Sequence, residues 1–174
     1  MKALLTLILG VLAAPTLVAQ TDDQKISLND RLEAAWKTKS AKAFEALYYK
    51  LDADQYLIDV KVSWWTHNWD DGTEPEMKIV RFVSMTELNN LADPKNGDPN
   101  QTRYQEALED ITKPKIMNRK SYVQNLPVAG ILEVNVTRGK LTRHDRVVVG
   151  ISPDGTLLFT LLRRIEQDVD GNSH

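Results

Sequence analysis

The chain has 174 residues, a formal charge of −2 and no cysteine. A balance so near neutral gives no general attraction to nucleic acid or to an anionic membrane. The missing thiols exclude a disulfide scaffold, a zinc–thiolate site and a cysteine nucleophile, so packing alone must hold the single domain that this length suits.

Residues 1–19 carry Lys2, then an uncharged apolar run, then Leu17-Val18-Ala19. That is the layout of a secretory signal peptide cleaved after Ala19. Pro15 interrupts the run, which falls short of the roughly 20 residues needed to span a bilayer. The expected address is therefore secreted or periplasmic, with no integral membrane segment in the mature chain. Residues 20–26 are polar and read as a flexible tail, 27–166 as one domain, and 167–174 as a second, disordered tail.

Ser27-Leu28-Asn29-Asp30 has helix-cap chemistry, and Leu28, Leu32, Ala35 and Trp36 recur at helical spacing. Ser40 suits the cap of a second helix, with Phe44, Leu47, Tyr48 and Leu51 as its buried stripe. After a turn at residues 52–55, Tyr56, Ile58, Val60, Val62 and Trp64 alternate with other residues, the period of a strand. Residues 68–75 form a polar loop, and Met77 to Val83 reads as the strand returning to make a hairpin with the first.

Ser84-Met85-Thr86-Glu87 has the form of a capping box before Leu88 and Leu91, which predicts a short helix. Residues 93–100 are a loop. Thr102 to Gln105 offers a second capping box, with Tyr104, Ala107, Leu108 and Ile111 on one helical face and Pro114 as the stop. Ser121 to Leu126 reads as a short strand. Three apolar runs follow: Leu132, Val134 and Val136; then Val147, Val149 and Ile151; then Leu157, Phe159, Leu161 and Ile165. Ser152-Pro153-Asp154-Gly155 joins the last two with strong turn chemistry. This is an antiparallel meander, and the order of elements predicts an α+β fold with N-terminal helices on a curved antiparallel sheet.

That order, together with AAWKTKSAKAFEALY at Ala34 to Tyr48, resembles the NTF2-like (SnoaL-like) superfamily. Ser40 stands at the break where Asp is common in that family. The resemblance implies a sheet wrapped around the helices as a cone, with an apolar pocket inside. It also implies a choice of function, because the superfamily holds isomerases, dehydratases and hydrolases beside members without catalysis. The enzymes use a Tyr with Asp residues, an Asp–His pair or an Asp-Arg-Asp set. None of these sets can be placed on this sequence, so the resemblance carries a fold and a pocket rather than an activity.

The most unusual local composition is Trp64-Trp65-Thr66-His67-Asn68-Trp69. On a strand Trp65, His67 and Trp69 share one face, opposite Ile58, Val60 and Val62, and would form a recognition surface for a ligand or a second subunit. Packing under the protein's own helices is the competing explanation. Asp70, Asp71, Glu74 and Glu76 supply oxygen ligands in a number that suits calcium, but their spacing matches no calcium loop, and a solvated acidic turn explains them as well. Asp168, Asp170 and Asn172 raise the same idea in the tail.

Arg138, Lys140, Arg143, His144 and Arg146, joined by Arg163 and Arg164, could make one basic end; charges on hairpin ends also protect against edge pairing. His144 and Asp145 are neighbours on a strand and point opposite ways, so they are no base–orienter pair. No phosphate loop, dinucleotide fingerprint, nucleophile elbow or His-Glu-x-x-His is present. Asn100-Gln101-Thr102 and Asn135-Val136-Thr137 are formal glycosylation sequons.

The sequence thus points to an exported, non-catalytic binding or interaction module, with no cofactor and no metal. Its partner would be a small apolar or sugar-like ligand, or a second copy in a homodimer, and not nucleic acid. The alternative is a small NTF2-like enzyme using Asp or His for general acid–base chemistry in an apolar pocket. Ionisable side chains aimed into an enclosed pocket would favour the enzyme; an interior filled by Leu, Val and Phe would favour the module.

Overall fold

The computed structural model describes residues 22–66, 74–117 and 120–165, with side chains from Ser27 onward. The leader at 1–19, the tail at 167–174, His67, Trp69, Asp70 and Asp71 lie outside the described residues.

Helix α1 (Asp22–Thr38) starts ahead of the Ser27 cap signal, so 22–26 is helix rather than tail. No Gly or Pro between Asp22 and Ser27 opposes that extension. Leu28, Leu32 and Ala35 are buried along it. Lys39 adopts a left-handed φ of 51° and breaks the helix. Ser40 then caps α2 (Ala41–Glu45), its hydroxyl accepting from the Ala43 N–H at 3.3 Å. Phe44, Leu47 and Tyr48 are buried as expected, but Leu51 is 62% exposed where the chain turns through Asp52.

Residues 56–65 are not a strand. They belong to helix α3 (Gln55–Thr66), and no hairpin with 77–83 exists. Asp54 is the cap: its carboxylate accepts from the Tyr56 N–H at 2.9 Å and its carbonyl from the Leu57 N–H at 2.9 Å. Ile58, Val62 and Trp65 form the inward stripe of the helix. Tyr56 and Val60, inward on a strand, are exposed.

Strand β1 (Glu76–Ser84) leads into α4 (Met85–Ala92), where Ser84 accepts from the Glu87 N–H as its capping box predicts. A 3-10 turn at Pro94–Asn96 precedes α5 (Gln101–Thr112). Asn100, not Thr102, stands at the head of α5 and makes no side-chain cap. Strands β2 (Lys115–Met117), β3 (Lys120–Gln124), β4 (Val128–Arg138), β5 (Leu141–Ile151), β6 (Leu157–Phe159) and β7 (Leu162–Ile165) complete the described chain. The third apolar run is therefore two strands, parted at Thr160 and Leu161.

Two antiparallel sheets result, β1-β4-β5-β6 and β2-β3-β7. The β5–β6 turn closes as its residues require, with Gly155 at φ 85° donating to the Ser152 carbonyl at 2.8 Å. Register shifts at Ile79/Arg81 and at Val128/Gly130 mark bulges, which bend and twist a sheet. The segment around Tyr48 runs along β6 through Tyr49 N–H to Phe159 O at 3.0 Å and Phe159 N–H to Leu47 O at 2.7 Å, which covers that edge. Asn125 ties the second sheet to the same segment, its amide donating to the Tyr49 carbonyl at 2.7 Å.

The large sheet is a middle layer. Leu132, Val134 and Val149 point to one face, where Leu28, Leu32, Phe44, Ile58 and Trp65 of α1–α3 meet them with Leu157 and Phe159. Val83 and Ile131 point to the other face and pack with Leu88, Ala92, Tyr104 and Ile111 of α4 and α5. The fold is α+β, with helices and antiparallel strands segregated along the chain. Among the described residues no helix is long and apolar enough to cross a membrane.

Candidate functional site

Strands β4 and β5 meet at a tight hairpin between Arg138 and Leu141. Val136 pairs with Arg143 and Arg138 with Leu141, and paired residues share a face. That face looks toward the last turns of α3. Val60, Ser63 and Trp64 approach from the helix, and Trp36 and Pro75 close the sides. Between these walls lies a groove of about 520 Å³, the size range of small-molecule sites.

The walls are mainly apolar. Leu141 is 78% exposed at the rim, and Val60 is also exposed. The Arg143 guanidinium carbon sits 4.2 Å from the centre of the Trp64 ring, a close cation–π contact. Its Nε donates to Asp145 Oδ2 at 2.5 Å, which ties the guanidinium in place beside the indole. Among the described residues that line the groove there is no carboxylate, imidazole, amine or phenol. Beside the rim Lys39 lies 2.6 Å from Glu74, and this ammonium holds the Glu74 carboxyl below its usual range.

Trp65 forms the inner wall of the groove and is itself 2% exposed. Its ring stacks on Phe44 at 5.4 Å and on Phe159 at 6.0 Å, and meets Trp64 edge-on at 4.7 Å. Its Nε1–H donates to the Tyr48 hydroxyl at 2.8 Å, so the one polar atom of the indole is satisfied inside the core. Burial raises the Tyr48 phenol well above its ordinary value, with the Trp65 bond opposing in part. Because α3 is a helix, the strand alternation that grouped Trp65 with His67 and Trp69 does not hold. His67 and Trp69 lie outside the described residues. Trp64, expected on the face opposite Trp65, touches it instead and is the indole that fronts the groove.

A second, smaller cleft of about 220 Å³ lies on the opposite face of the sheet, beside α5. His144 Nδ1 lies 2.6 Å from Asn135 Oδ1 there, while Asp145 points through to Arg143 on the groove face. The two neighbours thus diverge as a strand requires. Arg81 donates to Glu133 at 2.9 Å, to Glu87 at 3.1 Å and to the Tyr104 hydroxyl at 2.6 Å, and Arg146 donates to the Arg103 carbonyl at 2.7 Å. These contacts fasten α5 to β1, β4 and β5; the ion pairs among them are partly exposed and individually worth about 1 kcal/mol or less.

The expected single basic end is divided. Arg138 and Arg143 line the groove, His144 and Arg146 face α5, and Arg163 and Arg164 pair with β3 in the other sheet. No group of three or more His, Asp or Glu residues that could hold a metal ion occurs among the described residues. The pairing of Trp64 with Arg143 could not be found from sequence, because nothing local links an α3 indole to a β5 guanidinium. No family model, curated protein or solved structure matches the chain.

Proposed function

We propose that the protein is an exported, non-catalytic binding module of the cell envelope or exterior, and that the groove between α3 and the β4–β5 hairpin receives a small apolar ligand. The observation that carries this reading is where space is found. Between helices and sheet, where an enzyme of the NTF2-like kind would keep its pocket, Phe44, Trp65, Leu132, Val134 and Phe159 pack against one another. The groove lies at the edge of that core, and among the described residues its walls offer contact area rather than proton-transfer groups. The arrangement of N-terminal helices against an antiparallel sheet supports the NTF2-like resemblance at the level of architecture, which says nothing about activity.

A neutral apolar fluorophore, N-phenyl-1-naphthylamine, tests the reading. The protein should enhance its emission saturably at one equivalent, and Trp64→Ala or Leu141→Glu should abolish the enhancement without unfolding the protein. An unchanged response in both variants would reject the groove as the site. Export is tested separately by intact mass: protein recovered from the medium or periplasm should begin near Gln20, and a cytoplasmic product retaining Met1 would contradict it.

A further inference from the structure

We infer that Asn100 is an acceptor for an N-linked glycan in the folded protein, and that Asn135 is not. The inference rests on the export reading above, because the sugar donors of this modification lie beyond the cytoplasm. Asn100-Gln101-Thr102 and Asn135-Val136-Thr137 both have the Asn-x-Thr form, and each has a carboxylate two residues ahead, Asp98 and Glu133. The local sequence does not tell the two apart. The fold does.

Asn100 ends the loop between α4 and α5. It is exposed and its side chain caps nothing, and Thr102 is exposed on the first turn of the helix. Among the described residues neither the Asn100 amide nor the Thr102 hydroxyl has a hydrogen-bond partner. Asp98 fixes the backbone at this corner, its carboxylate accepting from the Asn100 N–H at 2.7 Å and its carbonyl from the Gln101 N–H at 3.0 Å. The side chain is left outside. A helix start without a side-chain cap is also held less firmly, so residues 100–102 can open into a transferase site at small cost. Opening gives up the Gln101 amide bond to the Ala92 carbonyl, at 3.1 Å.

Asn135 is held on both sides. Strand β4 lies between β1 and β5, and Asn135 pairs with Lys78 of one and His144 of the other. Its Oδ1 lies 2.6 Å from His144 Nδ1, and the Thr137 hydroxyl shares a hydrogen bond with Thr142 at 3.0 Å. Both side chains that define this sequon are thus engaged with β5. To enter a transferase, β4 would have to leave both neighbours and draw Leu132 and Val134 out of the core, an opening close to global unfolding.

In the transfer, the Asn100 amide nitrogen displaces the diphosphate of a lipid-linked oligosaccharide at the anomeric carbon of its first sugar. The C–N bond forms, the C–O bond to the diphosphate breaks, and one amide proton passes to water. The glycan would stand beside the second cleft, which Asn100 lines, on the sheet face opposite the groove.

Purified, folded protein tests this with a single-subunit oligosaccharyltransferase and a lipid-linked oligosaccharide, read by intact mass and peptide mapping. Wild type and Asn135→Gln should each gain one glycan, on Asn100; Asn100→Gln and Thr102→Ala should gain none. A glycan on Asn135 of the folded chain, or no transfer to wild type, would overturn the inference. The melting temperature of Asn100→Gln should match wild type, because its side chain holds nothing in place; a marked fall would show that the amide is engaged and would overturn it too. The result does not depend on export, which the mature N-terminus tests separately.

Discussion

Trp65 and Tyr48 form the most consequential pair of side chains in the core. The indole is stacked between Phe44 and Phe159, and its N–H is spent on a hydroxyl buried with it. We expect Trp65→Ala to cost about 3–5 kcal/mol, the range for a large buried aromatic. Tyr48→Phe keeps the ring but leaves the indole N–H unpaired, a loss of about 1–3 kcal/mol. Denaturant unfolding of both variants checks these values; near-neutral effects would place the pair outside the core. The same phenol predicts behaviour in base. Its folded proton affinity is raised, chiefly by burial. Its contribution to stability is therefore whole below the unfolded tyrosine value of about 10 and is lost as pH rises from there toward the higher folded value. Wild type should lose stability above pH about 10 more steeply than Tyr48→Phe, measured by urea midpoints across that window; parallel curves would contradict this. At this scale much was legible: Phe44, Leu47, Leu132, Val134 and Phe159 announce themselves by spacing. The partner of Trp65 was not, because a hydrogen bond between α3 and the end of α2 leaves no local trace.

Helix α3 shows why an element can be misread. Tyr56, Ile58, Val60, Val62 and Trp64 satisfy a period of two, and β-branched and aromatic residues favour strands. Ile58, Val62 and Trp65 satisfy a helical stripe equally well, and the two patterns share Ile58 and Val62. Asp54 was the arbitrating signal, a cap residue placed just before the run. Tertiary packing completed the choice, since the helix inserts Trp65 between Phe44 and Phe159. With α3 helical, β1 finds its partner in β4 instead, and the close crossing there imposes its own requirement. A Cβ on Gly130 would lie 2.1 Å from the Val83 carbonyl oxygen and 3.0 Å from the Ser84 Cα, both backbone atoms that cannot swing aside. Gly130→Ala should therefore part the end of β1 from β4 where the chain turns into α4. We expect a loss of at least about 1–3 kcal/mol, with amide exchange fastest around Val83 and Leu88. Wild-type stability in this variant would show that the crossing can open at no cost.

At the scale of the molecule, the described residues form two antiparallel sheets, the larger with a packed core on each face and a groove at one end. Its class was readable from the order of helices and strands and from the turn at Ser152 to Gly155. The layering was less so, because the sequence does not say which face of a strand each helix covers. The groove is built from Trp36 of α1, Val60 and Trp64 of α3 and Val136 to Arg143 of β4 and β5, a juxtaposition of distant residues that no motif encodes. The claim that this end of the molecule is the binding site, and that the core is closed, meets its most direct test in the indole and arginine N–H signals of a nitrogen-15 spectrum. On titration with N-phenyl-1-naphthylamine, Trp64 Nε1–H and Arg143 Nε–H should show the largest shifts, with Trp65 Nε1–H nearly still and slow to exchange. Shifts centred on Trp65, or a silent Trp64 at saturating ligand, would contradict it.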